Sequence, residues 1–284
     1  MSFFQRIIAF FMSIFALLSS WLGISPSDEK SIDLNRFELV WSDEFEGTQL
    51  DPSKWQIQKT TLMRRGGYWN TELAEVQDGY LTIFARYLEN GVNPGDPAGW
   101  YSARLRTKDL YEQTYGYFEV RCMLPEGYGL WSAFWMQNLE ATQQAYPDGA
   151  NGSEIDIMES PYYGSEAPNR IQNAVHWGGY DEHHQFVENT SADLGVDLYN
   201  TFHTYGVEWN TDAYIFYFDG KEIARFDKTQ LVPSQAPEHL LLTVEFNGAD
   251  GVPSEGWAAG TAEDNGRDFV ARFTVDYVRA YQYK

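Results

Sequence analysis

The sequence predicts an all-β protein, an antiparallel sandwich, on three observations. Short runs rich in aromatic and β-branched residues recur along it, an Asp-Gly pair joins two of them, and helical periodicity is scarce. Tyr80–Arg86, Tyr117–Leu124 and Leu240–Asn247 are such runs, punctuated by Gly, Pro or Asn, and each reads as a strand. Ala213–Phe218, Asp219-Gly220 and Lys221–Phe226 carry the hairpin signature, because Asp-Gly supplies the positive φ angles of a two-residue turn. The best helical stretches, Asp51–Trp55 and Asp227–Leu231, are one or two turns long. With 284 residues, 24 Gly and 11 Pro, one sandwich is more economical than a barrel or two domains.

Charge removes some functions. Asp and Glu outnumber Lys and Arg 41 to 20, a net charge of -21, which is the wrong sign for a surface that neutralises phosphates. No nucleic-acid partner is expected. The same field disfavours sulfated galactans unless Arg64, Arg65, Arg104 or Arg106 gather at the site. The single Cys122 lies in an alternating stretch and reads as a small core residue. The first residues differ from all that follow: an uncharged run, Ile7–Ser27, ends at Asp28-Glu29-Lys30. Residues 1–27 read as a signal peptide or a membrane anchor, 28–36 as a linker and 37–284 as one catalytic domain. The expected location is secreted, periplasmic or cell-surface, with membrane contact only through residues 7–27 if they are retained, and the expected state is a monomer.

The most informative segment is Glu154-Ile-Asp156-Ile-Met-Glu159, acids separated by apolar residues in a strand that should be buried. Side chains alternate along a strand, so Glu154 and Asp156 share a face while Glu159 points away. A one-residue bulge around Ile157-Met158 turns Glu159 back to join them. Two like charges about 4 Å apart repel by on the order of 4 kcal/mol at an effective dielectric of 20, so at least one of the acids should hold a proton at neutral pH. An ionised and a protonated carboxyl flanking one bond are what glycoside hydrolysis needs, and closely spaced carboxyls give retention through a covalent intermediate. Aromatic residues bracket the acids, and ring faces hold the C–H faces of sugars. Trp131, Trp135 and Trp177 are therefore the expected cleft aromatics, Trp131 and Trp135 sharing a face.

These residues resemble glycoside hydrolase family 16, the laminarinase, lichenase, agarase and carrageenase group, in the subgroup with a bulged Glu154-Ile-Asp156-Ile-Met-Glu159 motif. Further similar segments are Trp41–Gly47, Tyr115–Arg121, Leu130–Met136, Phe202–Trp209 and Val275–Arg279. The resemblance implies a jelly-roll antiparallel β-sandwich with a concave substrate cleft and a retaining mechanism. It makes Glu154 the nucleophile, Glu159 the general acid/base and Asp156 the residue that holds a proton or hydrogen bond between them. It also implies substrate contacts at His176 and Asn70, no cofactor for catalysis, and a structural calcium held by main-chain oxygens at Glu44 and Gly79 and by Asp276. Asp181-Glu-His-His184 looks like a metal cluster but reads as a solvated loop.

The expected substrate is a β-linked polysaccharide, a β-1,3- or β-1,3-1,4-glucan, cleaved internally. The pattern departs from laminarinase-type members, which carry Trp-Pro where Trp131-Ser132 stands and a Gly-Gly-Asn-Trp-like run late in the chain. The alternatives are a galactan hydrolase (agarose, carrageenan or β-galactan), a cell-wall transglycosylase, and a non-catalytic lectin on the same fold.

Overall fold

The structure, a computed structural model, describes residues 30–138 and 149–284. The expected signal or anchor at residues 1–27 lies outside them. Among the described residues the only helices are short 3-10 turns. The strands, in chain order, are β1 (Phe37–Asp43), β2 (Leu62–Arg64), β3 (Gly67–Trp69), β4 (Ala74–Gln77), β5 (Tyr80–Leu88), β6 (Gly99–Ser102), β7 (Arg104–Arg106), β8 (Gly116–Met123) and β9 (Leu130–Gln137). They continue with β10 (Glu154–Ser160), β11 (Gln172–Trp177), β12 (Gln185–Thr190), β13 (His203–Trp209), β14 (Ala213–Phe218), β15 (Lys221–Asp227), β16 (His239–Phe246) and β17 (Val270–Tyr283).

Two sheets stack. The smaller runs β12-β11-β10-β9-β16-β7; the larger runs β15-β14-β13-β8-β17-β5-β6-β3-β2, with β1 on β17 and β4 on β5. Every strand pair is antiparallel except β3 with β6, which is parallel. Between the sheets lies the main apolar core: Phe134, Ile155, Met158 and Val244 from the small sheet join Phe118, Val120, Phe273 and Val275 from the large one. Cys122 is in this core with no disulfide. The sheet-on-sheet packing follows from strands that are apolar on their inward face.

The expected strands and the hairpin are present. Asp219 and Gly220 take φ 46° and 74°, as their turn requires. The two expected helices are single hydrogen-bonded turns, closed by Trp55 N–H on Asp51 at 2.9 Å and Leu231 N–H on Asp227 at 3.2 Å. One turn fixes several dihedrals for one hydrogen bond and does not propagate by itself. Residues 30–36, expected as a linker, are instead fastened to the β14–β15 hairpin: Ile32 N–H donates to Gly220 at 2.9 Å and Glu222 N–H to Lys30 at 2.8 Å. Arg36 pairs with the buried Glu208.

The β2–β3 hairpin matters for the site. Its turn, Arg65-Gly66, presses on the end of β16 so closely that a Cβ at Gly66 would stand 1.7 Å from the Asn247 carbonyl oxygen. Only glycine permits that approach. It carries Arg64 and Arg65 of the large sheet over the outer face of the small one.

Candidate active site

β10 contains the bulge. Its register against β9 pairs Asp156 with Trp135 and then Met158 with Phe134, so Ile157 is the extra residue. In consequence Ile155, Ile157 and Met158 all face the core, whereas Glu154, Asp156 and Glu159 line a groove of about 610 Å³ on the opposite face. β9 contributes Trp131, Trp135 and Gln137 to the groove, β16 contributes Thr243 and Glu245, and the β2–β3 hairpin and β7 add Arg64, Arg65, Trp69 and Arg104.

Each acid has a different environment. Gln137 Nε2 donates to Glu154 Oε2 at 3.1 Å, and the Tyr180 hydroxyl donates to the same oxygen. Trp131 Nε1 donates to Glu159 Oε1 at 2.9 Å. His176 Nε2 lies 3.2 Å from Asp156 Oδ2. Burial pushes all three carboxyl pKa values up, and their mutual repulsion adds to it for Asp156 and Glu159, which rise well above the ordinary range. Glu154 rises too, by burial, but His176, the Tyr180 hydroxyl and Arg64 oppose the rise. Glu154 is the acid best supplied with partners for a negative charge, while burial and repulsion favour the protonated forms of Asp156 and Glu159.

Behind the trio, Glu238 anchors the start of β10. Its Oε1 accepts from Ser153 N–H at 3.0 Å and from Ser153 Oγ at 2.9 Å, immediately before Glu154. Burial pushes its pKa up to about 8.

The remaining sequence-predicted residues divide. Trp131 and Trp135 do line the groove; Trp135 Nε1 is held by Thr243 Oγ1 at 3.1 Å. His176 stands beside the acids, opposite Glu154 on β11. Trp177 does not face the groove. It follows His176 on the same strand, so alternation turns it inward, where it is 8% exposed in the core. Asn70 does not face the groove either: its side chain accepts from Glu72 N–H at 3.0 Å and donates to the Lys59 carbonyl at 2.9 Å, which makes it the cap of a short turn.

Of the positions implied for calcium, the Asp276 carboxylate is paired with Arg121, while the Glu44 side chain is clasped by Arg279 through two bonds of 2.9 and 2.8 Å, which leaves the main-chain oxygens of Glu44 and Gly79 outside these pairs. Asp181–His184 is exposed loop as expected, although His184 Nε2 reaches His176 Nδ1 at 2.9 Å.

Sequence reading missed Gln137, Tyr180, Thr243 and Glu245, which come to the groove from separate segments. Glu245 was visible as an acid in an apolar strand. It is buried and binds two arginines, Arg64 Nε at 3.0 Å and Arg65 Nε at 2.8 Å. The arginine condition set by the charge argument is thus met: Arg64, Arg65 and Arg104 gather at the groove, while Arg106 turns to Gln56 at 2.6 Å.

Comparison with known proteins agrees with this architecture. A family model described as "Beta-porphyranase A-D, GH16 domain" matches residues 38–283. The chain belongs to glycoside hydrolase family 16. A β-glucanase of Rhodothermus marinus is 32% identical, the match covering 94% of this chain and 93% of the relative. Glucan endo-1,3-beta-glucosidase A1 of Niallia circulans is 30% identical over 91% of this chain but only 39% of its own length. The structure of an endo-beta-1,3-glucanase from Pyrococcus furiosus superposes with a TM-score of 0.69 at 26% identity, over 90% of this chain and 98% of that one. Membership of family 16 makes the protein a glycosidase with a jelly-roll sandwich, and enzymes of this family need no catalytic cofactor.

Proposed function

We propose that this family 16 glycosidase is a retaining endo-hydrolase of a β-1,3- or β-1,3-1,4-glucan. The observation that carries the reading is the bulge that aims Glu154, Asp156 and Glu159 into one open groove between Trp131 and Trp135. Glu154, the acid richest in hydrogen-bond donors, attacks the anomeric carbon. Glu159, held protonated by burial and by its neighbours, gives its proton to the leaving oxygen. In the second step Glu159 takes a proton from water, which displaces Glu154. Asp156 shares a proton between the two, and His176 orients it. Relatives named as glucanases support the glucan, and an open groove suits cleavage inside a chain.

A second substrate, an anionic galactan, is favoured by Arg64, Arg65 and Arg104 at the groove and by the porphyranase family model. Release of reducing ends from laminarin, lichenan, agarose, porphyran and carrageenan, each at low and high salt, separates the two. The glucan reading expects laminarin or lichenan to be cleaved best with little salt effect. Turnover confined to a sulfated galactan and suppressed by salt selects the anionic one. Binding without turnover on any of them sinks both and leaves a lectin. We further propose that the chain acts outside the cytoplasm as a monomer, exported by the apolar run at residues 7–27.

A further inference from the structure

The reaction just described gives no task to Tyr180, a residue of the groove. Tyr180 sits on the β11–β12 connection, which leaves β11 through Gly178 and Gly179, both at positive φ (80° and 87°). The connection is held down at its far end, where the His184 ring stacks on His176 at 5.1 Å and both stack on Phe186. The backbone reversal and this three-ring stack deliver the Tyr180 hydroxyl to Glu154. There it accepts from Gln137 Nε2 at 2.8 Å and donates to Oε2, the oxygen that Gln137 also reaches. Neither donor reaches Oε1.

We propose that Tyr180 is a positioning residue that decides which oxygen of Glu154 attacks and speeds that oxygen's release. The proposal rests on Glu154 being the nucleophile. In the first step Oε1 bonds to the anomeric carbon, the glycosidic C–O bond breaks, and Glu159 protonates the departing oxygen. Oε2 then becomes the carbonyl oxygen of the ester. In the second step water, losing a proton to Glu159, bonds to the anomeric carbon; the C–Oε1 bond breaks and its electron pair returns to the Glu154 carboxylate. The returning charge spreads to Oε2, where Tyr180 and Gln137 wait as donors. A hydrogen bond to a charged oxygen is stronger than one to an ester carbonyl, so Tyr180 helps the second step more than the first. The other charged and titratable groups facing Glu154 are Asp156 and Glu159 on its own strand, His176 on β11, Arg64 on β2, Glu238 just before β16, and Glu245 on β16. None of these comes from the β11–β12 connection.

The test compares wild type, Tyr180→Phe and Glu154→Gly on a dinitrophenyl β-glycoside of an oligosaccharide that wild type cleaves. Tyr180→Phe is expected to lower kcat by about tenfold and KM with it. It should also release one equivalent of dinitrophenol in a burst and accumulate a glycosyl adduct on the Glu154 peptide, visible by mass spectrometry. Unchanged kcat, or a loss of kcat with no burst, no adduct and no fall in KM, overturns the proposal; a melting curve confirms that the variant is folded. Glu154→Gly with azide keeps the underlying reading separate. An α-glycosyl azide supports Glu154 as nucleophile. Its absence overturns that reading, and the proposal with it. Azide rescue together with a wild-type-like Tyr180→Phe overturns the proposal alone.

Discussion

The Trp131 indole donates to Glu159 at 2.9 Å, meets Trp257 edge-on at 4.6 Å and lies 4.6 Å beneath the Arg65 guanidinium. That hydrogen bond favours the ionised form of Glu159 and pulls its pKa down, against burial and the neighbouring acids, which push it up. Trp131→Phe keeps a ring for the sugar and removes the donor. The alkaline limb of the kcat/KM profile, set by Glu159, should therefore move to higher pH; a limb that stays put or moves down contradicts the assignment. At this scale the acids were legible because carboxylates in an apolar strand are too costly to be incidental. Tyr180 and Gln137 were not, since nothing in their local sequence says which distant strand they meet; Glu245 carried the same signal as the trio, an acid in an apolar strand, but not its partners. Trp177 was misread for a different reason: being next to a groove histidine on a strand is what turns a side chain away from the groove.

Strand β10 and the β2–β3 hairpin are the elements on which the site depends. Deleting Ile157 removes the extra residue, so plain alternation along Glu154-Ile155-Asp156-Met158-Glu159 keeps all three acids on the groove face and activity should survive. Inserting an alanine after Met158 instead puts Glu159 one step out of phase, turns its carboxyl toward the core and should cost at least about a thousandfold in activity together with a lower melting temperature. Activity that survives the insertion would show that strand phase is not what aims Glu159. Gly66→Ala tests the hairpin in a gentler way. Its Cβ collides with the Asn247 backbone, which cannot yield as a side-chain tip can, so the hairpin must lift and take Arg64 and Arg65 off Glu245. The expected readout is a higher KM, because both arginines line the groove, with a smaller fall in kcat as Glu154 loses the field of Arg64. Strand positions and the bulge could be read from alternation and from the run of acids. The short 3-10 turns, the parallel β3–β6 pair and the fastening of residues 30–36 could not, because tertiary contacts decide them.

Across the whole molecule, the functional acids work against the fold. Asp156 and Glu159 are raised by burial and mutual repulsion, so the folded state keeps protons that the unfolded chain gives up above about pH 4.5. Glu238, pushed up to about 8, extends this window. A folded state that binds more protons loses stability as pH rises, so these groups make the fold weaker between about pH 4.5 and 8. Glu159→Gln removes one such ionisation. It should raise the melting temperature at pH 8 by on the order of a few degrees and flatten its fall with pH, while abolishing turnover; a lower melting temperature throughout contradicts this. Arg121 takes the one carboxylate, Asp276, that the resemblance assigned to calcium, so a chelator should leave the melting temperature unchanged, and a clear drop would show that a cation displaces it. The net charge of -21 hid the local arginines, since a total says nothing about where charges sit. The central claim is that one kinked strand divides its acids into an attacker and a proton donor. Proton NMR of the first reducing ends released from a β-linked substrate tests it most directly. The account predicts the β anomer before mutarotation; the α anomer, formed by a single displacement with water, would contradict it.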